Sequence, residues 1–223
     1  TTEKKFGNSS IYFDGSQQLT VADSGDWTMG SGDYTIELFI KPSSVSDIWN
    51  DNFLGLVTQS HLNTDGRGFA LYQDESDLGS LAMKTSTGVD YWSLSPSALG
   101  TSWMHIAFVK QGDTVRLYRN GSQVGSDAVE NGNPENYDGS LRIGYWPYPS
   151  QGYQGDDKWF VGYMEEIRIT QGVARYPDGT SFTAPLEPFP RQIGGGTIYY
   201  IGDVVHHEGK TWVSTADNNT TAP

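Results

Sequence analysis

Short segments in which apolar and polar residues alternate make up most of the first 170 residues of this chain. Turns rich in Gly, Asp, Asn and Ser separate them, and helical periodicity is scarce. At least ten such strands in 223 residues predict an all-β fold in which two antiparallel sheets pack face to face. The predicted strands cover residues 10–13, 18–21, 34–40, 52–60, 68–72, 80–84, 90–94, 103–110, 114–119, 122–124, 141–143 and 160–169.

The segment 103–124 illustrates the pattern best, because it contains a predicted hairpin. Asn120 and Gly121 supply the two positive-φ residues of a type I′ turn between two alternating strands. In the strand that begins at residue 103, we assign Trp103 to the core and His105 to a half-buried position in the sheet.

The alternating pattern ends near residue 176, and three prolines at 185, 188 and 190 exclude a central strand there. We interpret this stretch as an extended wrap that completes a first domain, residues 1–190. A Gly-rich linker is predicted at 191–196. Residues 197–223 have a strand-turn-strand pattern but are too few for a core of their own, and are interpreted as part of a second module.

Charge limits the possible partners of the chain. There are 27 acidic residues against 14 Lys and Arg, a formal net charge of −13, which argues against nucleic acid and anionic membranes. Apolar runs are only a few residues long, so no membrane insertion is expected. Cysteine is absent. Without an initiator Met or a signal peptide, the chain is interpreted as a mature form or a fragment of a longer protein.

A series of motifs over residues 6–190 resembles the laminin-G-like, concanavalin A-like jelly roll in the form found in phage tail and virion proteins. The motifs are residues 10–15, 32–42, 103–109, 116–121, 141–144, 162–170, 172–176 and 182–185. The resemblance implies a jelly-roll sandwich. Residues 200–212 are similar instead to the chitin- and cellulose-binding modules of families five and twelve. In the 172–176 motif, Arg175 is expected to pack at the sandwich edge and bind carbonyl or acidic groups.

Residue spacing argues against an enzyme. Retaining glucanases of this sandwich class resemble one another in an E-x-D-x-E strand, whose period places the carboxylates on one face, and no such strand occurs here. Glu165 and Glu166 are adjacent, so they point to opposite faces and cannot act as such a pair. There is no G-x-S-x-G elbow, and His105 is interpreted as a sheet residue rather than a base.

Calcium is the more plausible ion, because acidic side chains occur in several predicted loops and Ca²⁺ takes six to eight oxygen ligands. Our candidate ligands are Asp14, Asp138, Asp156 and Asp157. Many laminin-G-like domains bind Ca²⁺ at loop ends. The alternative is that these residues are solvated turn residues.

The loop at 145–159 is the most distinctive functional feature, because it is rich in aromatic residues and proline. Aromatic faces stack on the C–H faces of sugars, and prolines reduce the entropy lost on binding. The candidate ligand-binding residues are Tyr145, Trp146, Tyr148, Tyr153 and Trp159. Two alternatives stay open: contact with another protein, or packing of the rings on their own sheet.

The sequence therefore favours a non-catalytic, lectin-like binding module of a phage virion, in a tail fibre, tail or capsid decoration, that recognises cell-surface carbohydrate. The localisation expected is virion or extracellular, with other virion proteins as partners, as a homo-oligomer or part of a larger assembly. The first alternative is a structural virion subunit that docks on neighbouring proteins. The second is a glycoside hydrolase.

Overall fold

The computed structural model describes residues 3–43, 55–60, 67–74, 80–85, 88–92, 100–129, 139–147, 158–177, 179–189, 198–200, 206–207 and 210–211. Within these segments the regular structure is β, apart from a 3-10 turn at Gly25–Trp27. The all-β class is therefore as predicted. No helix among the described residues has the length and apolar character to cross a membrane.

The larger sheet contains seven antiparallel strands in the described part of the chain. Six follow the order β1–β14–β3–β8–β9–β10, and β15 also pairs with β14. Their bounds are β1 Ile11–Asp14, β14 Val161–Gln171, β3 Tyr34–Pro42, β8 Met104–Gln111, β9 Thr114–Arg119, β10 Ser122–Val129 and β15 Ile198–Tyr200.

The second sheet has six antiparallel strands over the same described segments, in the order β2–β11–β4–β5–β6–β7. They are β2 Leu19–Val21, β11 Leu141–Ile143, β4 Gly55–Ser60, β5 Arg67–Asp74, β6 Ser80–Thr85 and β7 Gly88–Trp92. Two short hairpins join β12 Tyr145–Trp146 to β13 Lys158–Trp159, and β16 His206–His207 to β17 Lys210–Thr211.

The core lies between the two sheets and follows from alternation along the strands. In β3, Tyr34, Ile36 and Leu38 are fully buried in the core cluster, and the residues between them face outward. Apolar residues of β11 and β14 fill the same layer. Each fully buried side chain of this kind stabilises the fold by about 1.5–3 kcal/mol relative to exposure.

Segments at both ends of the first domain cover the outer face of the larger sheet. The Phe6 ring meets Phe39 edge-on with centroids 4.9 Å apart, and Phe189 lies 5.8 Å from the same ring. Tyr176 and Phe182 stack in parallel at 3.7 Å and pack against the outward residues of β8 and β9. The predicted wrap is thus a second, smaller apolar layer.

Strand bounds agree with the alternating pattern to within a few residues. Asn120 has φ 50° and Gly121 has φ 80°, as a type I′ turn requires. β3 continues through Pro42, where termination before the proline was predicted. β10 is longer than predicted, because an irregularity between Val124 and Ala128 lets it rejoin β9.

The assignment of Trp103 to the core is wrong. Met104 and Ile106 point inward from β8, so Trp103 shares the outer face with His105. Trp103 is half-buried there, with its ring 6.4 Å from that of Tyr163. His105 itself is fully buried rather than half-buried, because the wrap covers it.

The boundary at residues 190–197 stays a prediction. The linker 191–196 lies outside the described residues, and β15 pairs with β14 at Arg168–Thr170.

Candidate functional site

The β12–β13 hairpin brings together the first and last residues of the aromatic loop. Tyr145 is the register partner of Trp159, and their ring centroids are 4.2 Å apart at an interplanar angle of 32°. Both residues are half-buried. This ring pair, Tyr145 and Trp159, is the candidate functional site. Tyr148 and Tyr153, the other rings predicted to bind ligand, lie outside the described residues.

Backbone contacts fix the base of the hairpin against β4. Gly144 has φ 81°; its amide donates to Leu56 O at 3.0 Å, and its carbonyl accepts from Phe160 N at 2.9 Å. The Thr58 hydroxyl donates to Tyr145 O at 3.0 Å. Gly55 allows the closest approach, since a Cβ there would lie 2.3 Å from Trp146 N. The ring pair is therefore anchored to β4 by hydrogen bonds at the base of its hairpin.

Trp146 does not share this surface position. Only 2% of the residue is exposed, and it is among the largest fully buried side chains. Alternation along β12 explains the difference, because adjacent residues of a strand point to opposite sides. In the structure Trp146 therefore offers no face to a ligand from solvent.

Arg142 is a cation beside the ring pair that the sequence reasoning missed, and only 6% of it is exposed. Leu141 and Ile143 face the core, so Arg142 lies on the outer face of the smaller sheet, between Thr20 and Thr58 in register. Burial lowers the pKa of its guanidinium, and the nearby Tyr145 acts in the opposite direction. The sequence feature that could have revealed Arg142 is a single cationic residue between two apolar residues of a short predicted strand.

Asp14 is the one predicted calcium ligand within the described residues. Its Oδ1 accepts from the Ser16 hydroxyl at 2.7 Å and from the Ser16 amide at 2.9 Å. The hydroxyl bond and then the amide bond lower the pKa of the exposed Asp14. No three acidic or histidine side chains of the described segments form a metal cluster. Asp138, Asp156 and Asp157 lie outside these segments, so calcium stays a prediction.

The most elaborate polar cluster in the described structure surrounds Glu37 on the outer face of the larger sheet. His105 Nε2 donates to Glu37 Oε2 at 3.0 Å, and the Tyr176 hydroxyl donates to the same oxygen at 3.0 Å. Arg168 Nε donates to Oε1 at 2.8 Å, and Arg175 lies 3.6 Å from that oxygen. Arg175 binds an acid as expected, but on the outer face of the interior strand β3 rather than at the sandwich edge, and it also donates to the Thr170 hydroxyl at 2.9 Å.

This Glu37 cluster resembles an acid–base constellation but has no access to a substrate. Glu37 and His105 have no exposed surface, and the Phe189 ring lies 3.9 Å from the Arg168 guanidinium. Burial alone would raise the pKa of Glu37, but the hydrogen bond from His105 and the charge of Arg168 lower it below its ordinary 4.5. Glu37 is a fixed anion at the centre of the cluster, and its bonds to Tyr176 and Arg175 fasten the wrap to the sheet.

We expect Tyr176→Phe to lower the free energy of unfolding by about 1.5–3 kcal/mol, since it removes one donor to a buried carboxylate. The ring of the variant still stacks on Phe182, so packing is kept. Urea unfolding measures the change, and Tyr12→Phe, at a 42% exposed tyrosine, is the matched control. Equal stability of both variants would contradict the role given to the hydroxyl.

Glu165 and Glu166 do not point to opposite faces. Glu166 has φ 52° and sits in a bulge of β14, where the register with β3 shifts by one residue. Glu165 accepts from the amides of Lys5 at 2.6 Å and Phe6 at 2.8 Å, and Glu166 accepts from Phe189 N at 2.7 Å. Burial raises the pKa of Glu165, against the effect of both amides. Both carboxylates therefore fasten the covering segments.

A family model described as the concanavalin A-like lectin/glucanases superfamily, of laminin G type, matches residues 8–175, which is most of the chain. The chain belongs to this superfamily. A search of curated protein sequences gave no significant match.

Solved structures share the lectin-like jelly-roll fold at low sequence identity. A Bacteroides ovatus ATCC 8483 protein to which carbohydrate binding is ascribed matches with a TM-score of 0.57 and 16% identity, over 91% of this chain and 54% of its own. The CBM40 of a Ruminococcus gnavus sialidase, bound to α2,3-sialyllactose, has a TM-score of 0.54 and 11% identity over 75% and 91%.

Mouse laminin α1 domains LG4-5 match with a TM-score of 0.53 and 16% identity, over 79% of this chain and 46% of theirs. The chain thus spans about half the length of two of these three structures, and the shared feature at these identities is the fold. In this lectin-like superfamily member, the ring pair offers partly exposed aromatic faces to a ligand.

Proposed function

We propose that this lectin-like domain is a carbohydrate-binding module that holds its ligand without cleaving it. The observation that carries the proposal is the Tyr145–Trp159 ring pair, half-buried and 4.2 Å apart, on a hairpin fastened to β4. Aromatic faces bind the C–H faces of sugar rings, and a preorganised pair loses little entropy on binding.

The structural neighbours support the ligand class. Carbohydrate binding is ascribed to the Bacteroides ovatus protein, and the Ruminococcus gnavus module was solved with sialyllactose. Cleavage is disfavoured because three carboxylates of the larger sheet are already engaged: Glu165 and Glu166 accept hydrogen bonds from backbone amides, and Glu37 has no exposed surface. Reducing-sugar release from a bound glycan would contradict a purely binding role.

The setting we propose is the surface of a phage virion, with host-cell glycan as the ligand and other virion proteins as neighbours. Its support is the series of motifs ending at residues 172–176 and 182–185. Ca²⁺ at loop ends, with Asp14 as one ligand, belongs to the same proposal. Screening the full chain on a glycan array with and without Ca²⁺ tests the ligand class and the ion together.

For the strongest neutral glycan from that array, we expect Tyr145→Ala or Trp159→Ala to weaken binding about tenfold or more, because each removes half of the stacking surface. Isothermal titration calorimetry measures the loss, and circular dichroism verifies the fold. Tyr12→Ala removes an exposed ring on the larger sheet, and its affinity for the neutral glycan should equal that of the wild type. Unchanged affinity in both ring-pair variants would refute the assignment of the site.

A further inference from the structure

A row of large side chains crosses four neighbouring strands on the outer face of the larger sheet, away from the ring pair. Tyr12 of β1 is the register partner of Tyr163 of β14, which is the partner of Lys41 of β3. Ile40 pairs with Met104, so Lys41 is next to Trp103 at the start of β8. We call Tyr12, Tyr163, Lys41 and Trp103 the aromatic ledge.

The rings of the ledge lie side by side and are partly exposed to solvent, although Trp103 Nε1 is buried. Tyr12 and Tyr163 have centroids 4.8 Å apart, and Trp103 is 6.4 Å from Tyr163 on the other side. Tyr12 is 42% exposed, and the other two rings are half-buried. Elsewhere on this face the wrap and the N-terminal segment cover the aromatic residues. The ledge is therefore an uncovered continuation of an otherwise closed apolar layer.

Positive charge is concentrated beside the ledge, although the chain as a whole carries −13. Lys41 Nζ lies 5.9 Å from the Tyr163 centroid, and Lys5 Nζ lies 5.6 Å from that of the adjacent Phe39. Lys4 and Lys5 act together on the pKa of Glu165. Lys41 thus offers an ammonium group next to the partly exposed Tyr163 ring, which suits an anion that also has an apolar face.

A carboxylate of the chain already occupies the anion position. The Glu3 side chain pairs with Lys41 Nζ, and Glu3 O accepts from the Ser10 hydroxyl at 2.6 Å. The amides of Lys5 and Phe6 on Glu165 hold the same segment in place. Side-chain exposures of 43% for Glu3 and 25% for Lys41 leave this ion pair open to exchange with an external anion.

We propose that the aromatic ledge is a second binding site, for an acidic sugar. The sugar ring stacks on Tyr12 and Tyr163, and its carboxylate or sulfate replaces Glu3 on the Lys41 ammonium. The site lies on different strands from the ring pair and does not depend on it. A neutral sugar makes only the stacking contacts with the two tyrosine rings. The ledge should therefore bind an acidic sugar more tightly than a neutral one.

The test uses the full chain, trigalacturonic acid as a carboxylate probe and its methyl ester as the uncharged match. A heparin-derived tetrasaccharide is the sulfate probe. Calorimetry is expected to show at least one acidic probe binding, with affinity falling as salt is raised. If the ledge binds a carboxylate in preference to a sulfate, the methyl ester should bind about tenfold more weakly than the free acid. In NMR spectra the Trp103 indole N–H should shift and that of Trp159 should not.

Variants separate the parts of the site. Lys41→Met keeps the aliphatic stem and should lower the affinity for the acidic probe about tenfold. Tyr12→Ala should weaken binding several-fold, and Glu3→Gln should strengthen it, because the internal competitor loses its charge. Leu186→Ala, at a 77% exposed side chain outside both candidate sites, is the control and should leave the affinity for the acidic probe unchanged.

Three results would each overturn the second site: no binding of either acidic probe at millimolar concentration, wild-type affinity in Lys41→Met, or an indole shift confined to Trp159. Self-association of the chain that Tyr12→Ala abolishes would assign the ledge to a second copy instead. Failure of the ring pair in the neutral-glycan assay leaves the Trp103 signal unaffected, so the two proposals fail separately.

Discussion

Replacing Glu37 by Gln should lower the free energy of unfolding by about 3–5 kcal/mol, a cost typical of breaking a buried ion pair from one side. The substitution keeps the volume of the side chain but removes the charge that Arg168, itself 4% exposed, is paired with. It also turns one of the acceptor oxygens into a donor facing His105, Tyr176 or Arg168. Chemical denaturation of both proteins at pH 7 measures the difference.

The matched control is Glu3→Gln, which makes the same chemical change in an exposed pair with Lys41 and should cost at most about 1 kcal/mol. The pH dependence gives a second check. The pKa of Glu37 is lowered in the folded state, so its stabilisation is present above the ordinary value of 4.5 and is lost as pH falls through the folded-state pKa. The stability gap between wild type and Glu37→Gln should therefore narrow in acid. A constant gap down to pH 2 would contradict this account.

Gly55→Ala should both destabilise the domain, by about 1–3 kcal/mol, and abolish carbohydrate binding at the ring pair. A Cβ at this position would lie 2.3 Å from Trp146 N and 2.4 Å from the Tyr145 carbonyl carbon. Both are backbone atoms, so relief requires β12 to move away from β4, and the Tyr145 ring moves with it. Calorimetry with the neutral glycan and thermal unfolding measure the two effects.

Gly32→Ala is the control for this substitution. An added Cβ there meets nothing within 4 Å, so stability and binding should both stay close to wild type. If Gly55→Ala keeps full affinity for the glycan, the packing of β12 against β4 does not position the ring pair. Glycan binding would then depend on other residues of the 145–159 loop.

Sequence periodicity predicted the fold well because most strands here obey it strictly. A period of two is sufficient to place Tyr34, Ile36 and Leu38 in one layer, and an Asn-Gly pair is sufficient for a hairpin. The same rule, applied one residue at a time, places Trp103 on the outer face with His105. The core assignment failed because the size of an aromatic side chain was given more weight than its phase in the strand.

The candidate site was predictable only in part. Loop composition pointed to Tyr145 and Trp159, but it could not separate them from Trp146, whose orientation depends on a two-residue strand. Arg142 and the Glu37 cluster depend on contacts between residues far apart in the chain, such as Glu37 with Arg168 and Tyr176. No local pattern encodes such contacts. The sequence does not indicate backbone bulges either. The bulge at Glu166 was therefore not predicted, and the side chains of Glu165 and Glu166 were expected to point to opposite faces of the sheet.

The bulge at Glu166 divides β14 into two halves of opposite phase. Met164 faces the interior before it, whereas Arg168, four residues later, faces outward to Glu37. A regular strand of the same sequence, without the bulge, would turn Arg168 inward among the apolar side chains. The extra residue at the bulge thus keeps a cation out of the hydrocarbon layer.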